Sequence, residues 1–321
     1  MLRKSFLKNV DKKSYSTKTK NSLLLGLASL VWGIAFVFQQ IGGQSIGAYT
    51  FNGLRMLLGS GVVFLATRVF DRIGYSHKPA NKSETKRLWL TGIACGIFLS
   101  IASNLQQVAL VLGVQTGKAG FLTAVYILLV PIIGIFLHKK CPWNVWAGVA
   151  IALVGLYFLC IKGTFSLETA DILLLLCALG FSIQIVIIDR FGNAVDSLRL
   201  SSIQFLVVGV TTAVPAIIFE VIPYEGGFSA WIMQFASLNN WISILYMAIC
   251  SCGIAYTLQI VGQKGLNPTI ASLIMSLEAV FSLLSGMFFL KQTPDAREII
   301  GCCLMFTSIC IAQVNFSRKK I

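Results

Sequence analysis

Leu105-Gln-Gln-Val108 returns 153 residues later as Leu258-Gln-Ile-Val261, and the same shift brings Thr116, Phe136, Leu137 and Gly148 onto Thr269, Phe289, Leu290 and Gly301. Closer to the N terminus the shift is 149. There Leu24, Leu25, Leu27, Leu30, Ile34, Val37, Gly43 and Leu57 meet Leu173, Leu174, Leu176, Leu179, Ile183, Val186, Gly192 and Leu206. Leucine matches alone are cheap. The argument rests on two long gapless registers and on the Gln, Thr and Gly pairs, which mark an internal duplication.

What is duplicated is a membrane module. The chain is 56% hydrophobic and only 12% charged, with a mean hydropathy of +0.80, whereas soluble domains carry about 25% charged residues. Apolar runs long enough to cross a hydrocarbon layer of roughly 30 Å lie near 22–42, 47–67, 88–112, 117–137 and 144–161, and again near 170–189, 199–219, 241–262, 268–290 and 298–315. That predicts ten spans, five per half. Because five is odd, the second copy enters the membrane in the opposite sense, and the halves are related by a pseudo-twofold axis in the membrane plane, an arrangement typical of carriers.

Basic residues test this topology independently. With both termini in the cytoplasm, 21 of the 26 Lys and Arg fall in cytoplasmic segments and only Lys162, Lys291 and Arg297 fall outside, a strong positive-inside bias. The net charge of +14 therefore reads as topology and attraction to anionic membrane lipid. No basic domain supports nucleic-acid binding. Residues 1–21 read as a basic cytoplasmic tail, mobile over its first twenty residues, 22–163 and 164–316 as the two repeats, and 317–321 as a short basic cytoplasmic tail. The first span is too long for a cleaved signal peptide.

The chemistry of enzymes is not visible. His77 and His138 fall in cytoplasmic loops, no nucleophile stands at motif spacing from a base, and no Gly-rich phosphate loop occurs. Eight of the nine cysteines lie within spans, where they read as small apolar packing. Cys250-x-Cys252 has no His, Asp or third Cys nearby to complete a metal site. No cofactor or metal is expected.

A sparse set of polar residues does lie within the spans, where a charge costs at least roughly 2.5 kcal/mol and normally faces a partner or a wet cavity. Glu278, about ten residues into the ninth span, is the deepest acid. It is suited to taking up a proton or neutralising a cation, and the competing reading is a structural ion pair or a neutral, hydrogen-bonded Glu. Lys118 stands one turn inside the fourth span. Its repeat equivalent, Ala271, lies two turns before Glu278 on one helical face, so Lys118 either binds an anionic group or Glu278 in a shared cavity, or snorkels to the headgroups. Arg55 in the second span corresponds to Gln204 in the seventh, and either contacts solute or locks helix packing. Asn104, Gln106, Gln184 and Gln259 offer uncharged donors and acceptors, with Gln106 and Gln259 at matching repeat positions. Each is commonly interhelical glue. Trp32 and Tyr126, at mid-span, either wall a cavity or fill the core. Pro131 and Pro215 are expected to interrupt the fourth and seventh spans and free carbonyls.

Several stretches carry a resemblance. Leu30-Val-Trp-Gly33, Phe51-Asn-Gly-Leu-Arg55, Gly117 through Tyr126 leading to Val130-Pro131, Ile187-Ile-Asp-Arg190, Val195-Asp-Ser-Leu-Arg199 with Gln204, and Pro268 through Glu278 together resemble the EamA branch of the drug/metabolite transporter superfamily. The likeness runs from Ser22 to Gln313. It implies an all-α polytopic membrane protein with ten transmembrane helices in two inverted five-helix EamA repeats, the first four of each half around a central cavity. The fifth and tenth are implied to be peripheral and available for a homodimer, with Gly148, Ala152 and Gly155 as small residues for close approach. Two departures stand out. Ala279 and Lys291-Gln292 replace a proline and an acid usual in the ninth span, and Gln184 stands where many relatives carry His.

The resulting expectation is a secondary active transporter of a small organic solute such as an amino acid, metabolite or toxic compound. It works by alternating access in the cell membrane, as an exporter coupled to protons through Glu278. The alternative is a membrane receptor or assembly factor that binds a ligand without moving it.

Overall fold

In the computed structural model, residues 2–74, 78–114, 116–139, 141–160, 168–290 and 295–313 are described, with side chains from residue 17 onward except at 116, 117, 159, 160, 286, 289 and 290. His77, Lys140, Lys162, Lys291, Gln292 and the C-terminal tail lie outside them. Among the described residues every long element is helical.

The first half holds α1 (Leu2–Ile46), α2 (Ala48–Arg72), α3 (Lys82–Val111), α4 in two segments (Thr116–Ala124 and Tyr126–Phe136) and α5 (Trp143–Cys160). The second holds α6 (Thr169–Phe191), α7 (Ser197–Ala216), α8 (Leu238–Gln263), α9 in two segments (Pro268–Met275 and Glu278–Leu290) and α10 (Ala296–Gln313). Among the described residues nine of these are long and apolar enough to cross a membrane, and the shorter apolar helix α5 joins them. The protein is thus an all-α polytopic membrane protein of two repeats. The backbone of residues 2–21 is helical and continuous with the rest of α1. No Gly or Pro precedes Gly26 to stop that helix.

Packing follows the duplication. The principal contacts pair α2 with α7 and α5 with α10, each a helix with its own counterpart. The others occur as related pairs: α1 on α9 as α6 on α4, α3 on α6 as α8 on α1, and α3 on α7 as α8 on α2. Exchanging each helix for its equivalent carries these principal contacts onto one another, so the pseudo-twofold axis passes through the α2–α7 and α5–α10 seams.

Small residues make these seams close. A Cβ on Gly33 would sit 2.7 Å from the backbone of Phe281, which explains the glycine after Trp32 where α1 crosses α9. Gly148 and Gly155 face α10, where added Cβ atoms would meet the carbonyl oxygens of Ser308 and Gly301 at 2.8 and 3.0 Å. This corrects the expectation that the Gly148, Ala152, Gly155 stripe serves a homodimer, because the seam inside the chain consumes it.

The prolines are corrected too. Both lie inside helical segments, and α4 instead turns at Val125. Pro215 is followed by a wide turn at Ile217–Val221. In α9 the turn falls at Ser276 and Leu277. Shifted by 153, Val125 maps to position 278, so both breaks lie within two residues of one repeat position. At each, the chain tightens to bonds three residues apart, Val125 N–H to Leu122 O at 3.4 Å and Leu277 N–H to Ile274 O at 3.2 Å.

Candidate functional site: a polar cavity between the repeats

The broken helices meet at a central cavity. Its wall is formed by Trp32, Phe36 and Gln39 of α1, Arg55 of α2, Gln106 of α3, and Thr123 and Tyr126 of α4. From the second half come Phe181 and Ile185 of α6, Ser251, Tyr256 and Gln259 of α8, and Met275 and Glu278 of α9. Helical spacing places most of these together: Trp32, Phe36 and Gln39 stand at i, i+4 and i+7 on one face. Ser251 and Tyr256 are five apart, and they share the wall because Met247–Tyr256 is wound as a π-helix, whose repeat brings i and i+5 together. The cavity is tight, about 40 Å³. With roughly 10–15 Å³ needed per water, it admits a few waters, and a larger guest requires the surrounding helices to part.

Opposite charges face this space. Arg55 is 2% exposed, its Nε donating to Asn52 Oδ1 at 3.0 Å. Glu278, 7% exposed, accepts a long bond of 3.4 Å from the Tyr126 hydroxyl. Tyr126 is contributed by the α4 break and Glu278 by the α9 break, so the duplicated backbone feature supplies both partners. Trp32 packs edge-on to Tyr256 at 4.8 Å, and Tyr256 meets Phe205 at 5.4 Å. Three buried polar atoms on this wall have no partner among the described residues: Trp32 Nε1, Gln39 Oε1 and Gln259 Oε1. Burying such a group without a hydrogen bond costs about 1–3 kcal/mol, so water or a guest is expected to fill that role.

Amide chains back the wall. Gln259 Nε2 donates to Gln184 Oε1 at 3.1 Å, and Gln184 Nε2 to Gln204 Oε1 at 3.3 Å, linking α8, α6 and α7. Gln106, the repeat partner of Gln259, donates to Thr123 Oγ1 at 3.3 Å. Asn104 lies away from the cavity. It accepts from Asn52 Nδ2 at 2.7 Å and donates to Thr212 Oγ1 at 2.9 Å, so it holds Asn52, which in turn holds Arg55.

Of the ten residues singled out in the sequence, Trp32, Arg55, Gln106, Tyr126, Gln259 and Glu278 thus line the cavity, Gln184 stands one hydrogen bond behind it, and Gln204 and Asn104 two. Lys118 does not join them. Its Nζ meets Asp171 Oδ2 at 2.7 Å, and Asp171 is fully buried at the start of α6, where Oδ2 also accepts from Glu168 N–H at 2.7 Å. Lys118 therefore ties the start of α4 to the start of α6, and neither reaches Glu278 nor snorkels. Sequence reading missed Gln39, Thr123, Ser251 and Tyr256 on the wall, and Asn52 behind it. Asn52 carried a signal, three residues before Arg55 in the same helix.

Two wider recesses flank the cavity. On the face that bears the chain termini, Lys20, Lys78, Glu84, Asp196 and Lys264 border a recess of about 790 Å³. Burial pushes the Lys264 ammonium pKa below its ordinary value, partly offset by Asp196. On the opposite face, Gly47, Phe219, Glu220, Tyr224 and Trp231 border one of about 640 Å³.

The architecture has known parallels. A solved crystal structure superposes with a TM-score of 0.70 at 19% identity, covering 92% of this chain and 96% of its own, a likeness of fold alone. Over 317 residues the chain is 26% identical to an uncharacterized transporter of Archaeoglobus fulgidus, covering 98% of this chain and 92% of that protein. Protein PecM of Dickeya dadantii is 33% identical over 86 residues, 26% of this chain and 29% of PecM. The model of the EamA-like transporter family matches residues 20–161 and again 168–313. With both copies of that model accounting for nearly its whole length, and ten helices packed as two exchanged sets of five, the chain belongs to the EamA-like transporter family, and is a membrane transporter.

Proposed function

We propose that the protein is a secondary active transporter that moves a small zwitterionic solute, of which an amino acid is the simplest case, by alternating access through the central cavity. The observation that carries this reading is the presence of Arg55 and Glu278 on one buried wall. A guanidinium pairs with a carboxylate, a carboxylate accepts from an ammonium, and the unpartnered oxygens of Gln39 and Gln259 add neutral acceptors for the remaining protons. Trp32, Phe36, Phe181 and Tyr256 supply apolar surface for a side chain or carbon skeleton.

Coupling is assigned to Glu278. A carboxyl facing a cavity that opens to either side can collect a proton on one face and release it on the other, and Tyr126 steadies it meanwhile. The charge distribution of the sequence supports cytoplasmic termini in the plasma membrane, and the direction proposed is export in exchange for protons.

The test is transport in proteoliposomes under an imposed pH gradient, with labelled amino acids as solutes. Purified protein is expected to move at least one of them faster in the gradient than without it, and Glu278→Gln to abolish the gradient's effect while exchange between equal pools persists at a reduced rate, since the amide keeps one oxygen for the ammonium but not its charge. Unaltered gradient dependence in Glu278→Gln would remove the coupling role. Binding with no movement under any gradient would replace the carrier by a receptor.

A further inference from the structure

The α2–α7 seam lies on the pseudo-twofold axis, and its two ends are closed by acids at equivalent positions. Asp71, at the end of α2, and Glu220, in the wide turn that continues α7, are separated by 149 residues, the shift that relates the first parts of the two repeats. On the terminus-bearing face, Arg199 in the first turn of α7 donates through Nη2 to Asp71 Oδ1 and Oδ2 at 2.7 and 2.9 Å. Lys78 adds a contact at 3.9 Å. The repeat equivalent of Arg199 is Thr50, and on the opposite face Glu220 reaches that very place: the backbone N–H groups of Tyr49 and Thr50 donate to Glu220 Oε1 and Oε2 at 2.8 and 2.6 Å. Each contact therefore ties the end of one seam helix to the start of the other.

The opposite-face contact is built to close tolerance. Gly47 precedes α2 with φ +93°, a left-handed conformation that favours glycine, and a Cβ there would lie 2.6 Å from the Glu220 carboxyl carbon. The repeat equivalent of Gly47 is Asp196, whose side chain accepts from Arg199 N–H at 3.0 Å and caps α7 from within its own helix. Thus α7 caps itself and offers a cation to Asp71, while α2 lacks a cap and receives one from Glu220. Between the ends, Ser60 and Ser202 exchange bonds with each other's carbonyls at 2.8 and 3.1 Å.

Each contact also borders one of the two recesses that flank the cavity. Lys78 and the Asp196–Leu198 turn line the recess on the terminus-bearing face, and Gly47 with Glu220 lines the other. We infer that Asp71–Arg199 and Glu220 with the start of α2 are paired latches at opposite ends of one seam, and that the transport cycle releases them one at a time. This rests on the carrier reading above. Both latches are closed here, in keeping with a cavity too tight for a solute. Releasing one lets the seam splay at that face while the other end holds it, and the pseudo-symmetry makes the two movements equivalent.

The test reads conformation rather than transport. A cysteine is placed in either recess, Ala194→Cys or Pro223→Cys, in protein held in nanodiscs where both faces are open, and its reaction with a charged maleimide is measured against protein carrying only the native cysteines. Arg199→Gln is expected to raise labelling at 194 by about threefold or more and to lower it at 223, a shift of the two-state population. Glu220→Ala is expected to do the reverse, with a smaller change of the same sign in Glu220→Gln, which keeps one acceptor. The exchange Asp71→Arg with Arg199→Asp retains the pair and is expected to return both rates to the parental values, which separates release from misfolding. Changes of the same sign at both positions, or none, would overturn the latches. Opposite changes in a protein that moves no solute would leave the latches standing and remove the carrier reading.

Discussion

Helices α4 and α9 are copies of one element, broken at one place, and they carry different chemistry. Thr123 corresponds to Ser276, Val125 to Glu278, Tyr126 to Ala279 and Lys118 to Ala271. The backbone break has survived in both, while the side chains at it have diverged until α4 keeps a phenol and α9 a carboxylate. The phenol and the acid then meet across the axis at 3.4 Å. Duplication supplied one backbone shape twice, and divergence left the carboxyl in one copy only; on the carrier reading proposed above, that single acid serves both faces.

The largest effect is expected from moving the acid. In the double substitution Val125→Glu with Glu278→Val, a carboxyl is restored at the equivalent position of the other copy but loses its tyrosine, which now neighbours it in sequence instead of facing it. Gradient-driven transport in proteoliposomes is expected to stay at the level of protein-free vesicles. Recovery to the parental rate would mean that the two copies are chemically interchangeable and that the difference between α4 and α9 is incidental.

Next in size is the anchoring of α4. Replacing Lys118 by Ala leaves the Asp171 carboxylate buried without its cation, which costs about 3–5 kcal/mol in fully buried pairs. Lys118 is 19% exposed, so about 3 kcal/mol or less is expected, read as a lower thermal midpoint in detergent. The double substitution Lys118→Ala with Asp171→Ala should recover part of that loss. Among the described residues α9 has no such anchor at the equivalent position, where Ala271 is fully buried, so Ala271→Ser, whose hydroxyl can bond a carbonyl one turn back, should change stability by about 1 kcal/mol or less.

The architecture was written plainly in the sequence because each span needs some twenty apolar residues and each copy repeats them. Glu278 and Arg55 were legible for a related reason: a charge at depth is too costly to be idle. The breaks were not legible. Neither Val125 nor Ser276-Leu277 is a residue that disfavours helix strongly, while Pro131 and Pro215, which are, sit inside helical segments. Lys118 was misplaced because its partner Asp171 begins α6, where an acid reads as a helix cap. Tyr256 and Gln39 could not be told from core and glue, since only the π-wound turn of α8 and the crossing of α1 bring them to the cavity. The Asp71 and Glu220 correspondence was present in the 149-residue register, but both acids lie at span ends, where charge is ordinary.

The same divergence shows in α2 and α7, where Arg55 faces the cavity and its counterpart Gln204 is buried behind it. Asn52 makes the difference by accepting from Arg55 Nε while donating to Ser103 Oγ at 3.0 Å and Asn104 Oδ1 at 2.7 Å. Asn52→Ala frees the guanidinium from its position and is expected to weaken solute binding about tenfold, the equivalent of roughly 1.4 kcal/mol, with Arg55 itself intact. An unchanged affinity would show that Arg55 needs no such support.

The smallest effects separate the two hydroxyls at the breaks. Thr123 Oγ1 accepts from Gln106 on the cavity wall, whereas the Ser276 hydroxyl donates to Leu273 O within its own helix at 2.8 Å. One ordinary hydrogen bond is worth about 0.5–1.5 kcal/mol. Thr123→Val, which keeps the shape and removes the acceptor, should therefore cost roughly two- to tenfold in solute affinity by releasing Gln106, while Ser276→Ala should leave affinity within about twofold, because its bond never faced the guest. Equal losses from both would place Ser276 in contact with the solute as well, and the polar roles of the two breaks would then be as symmetric as their backbones.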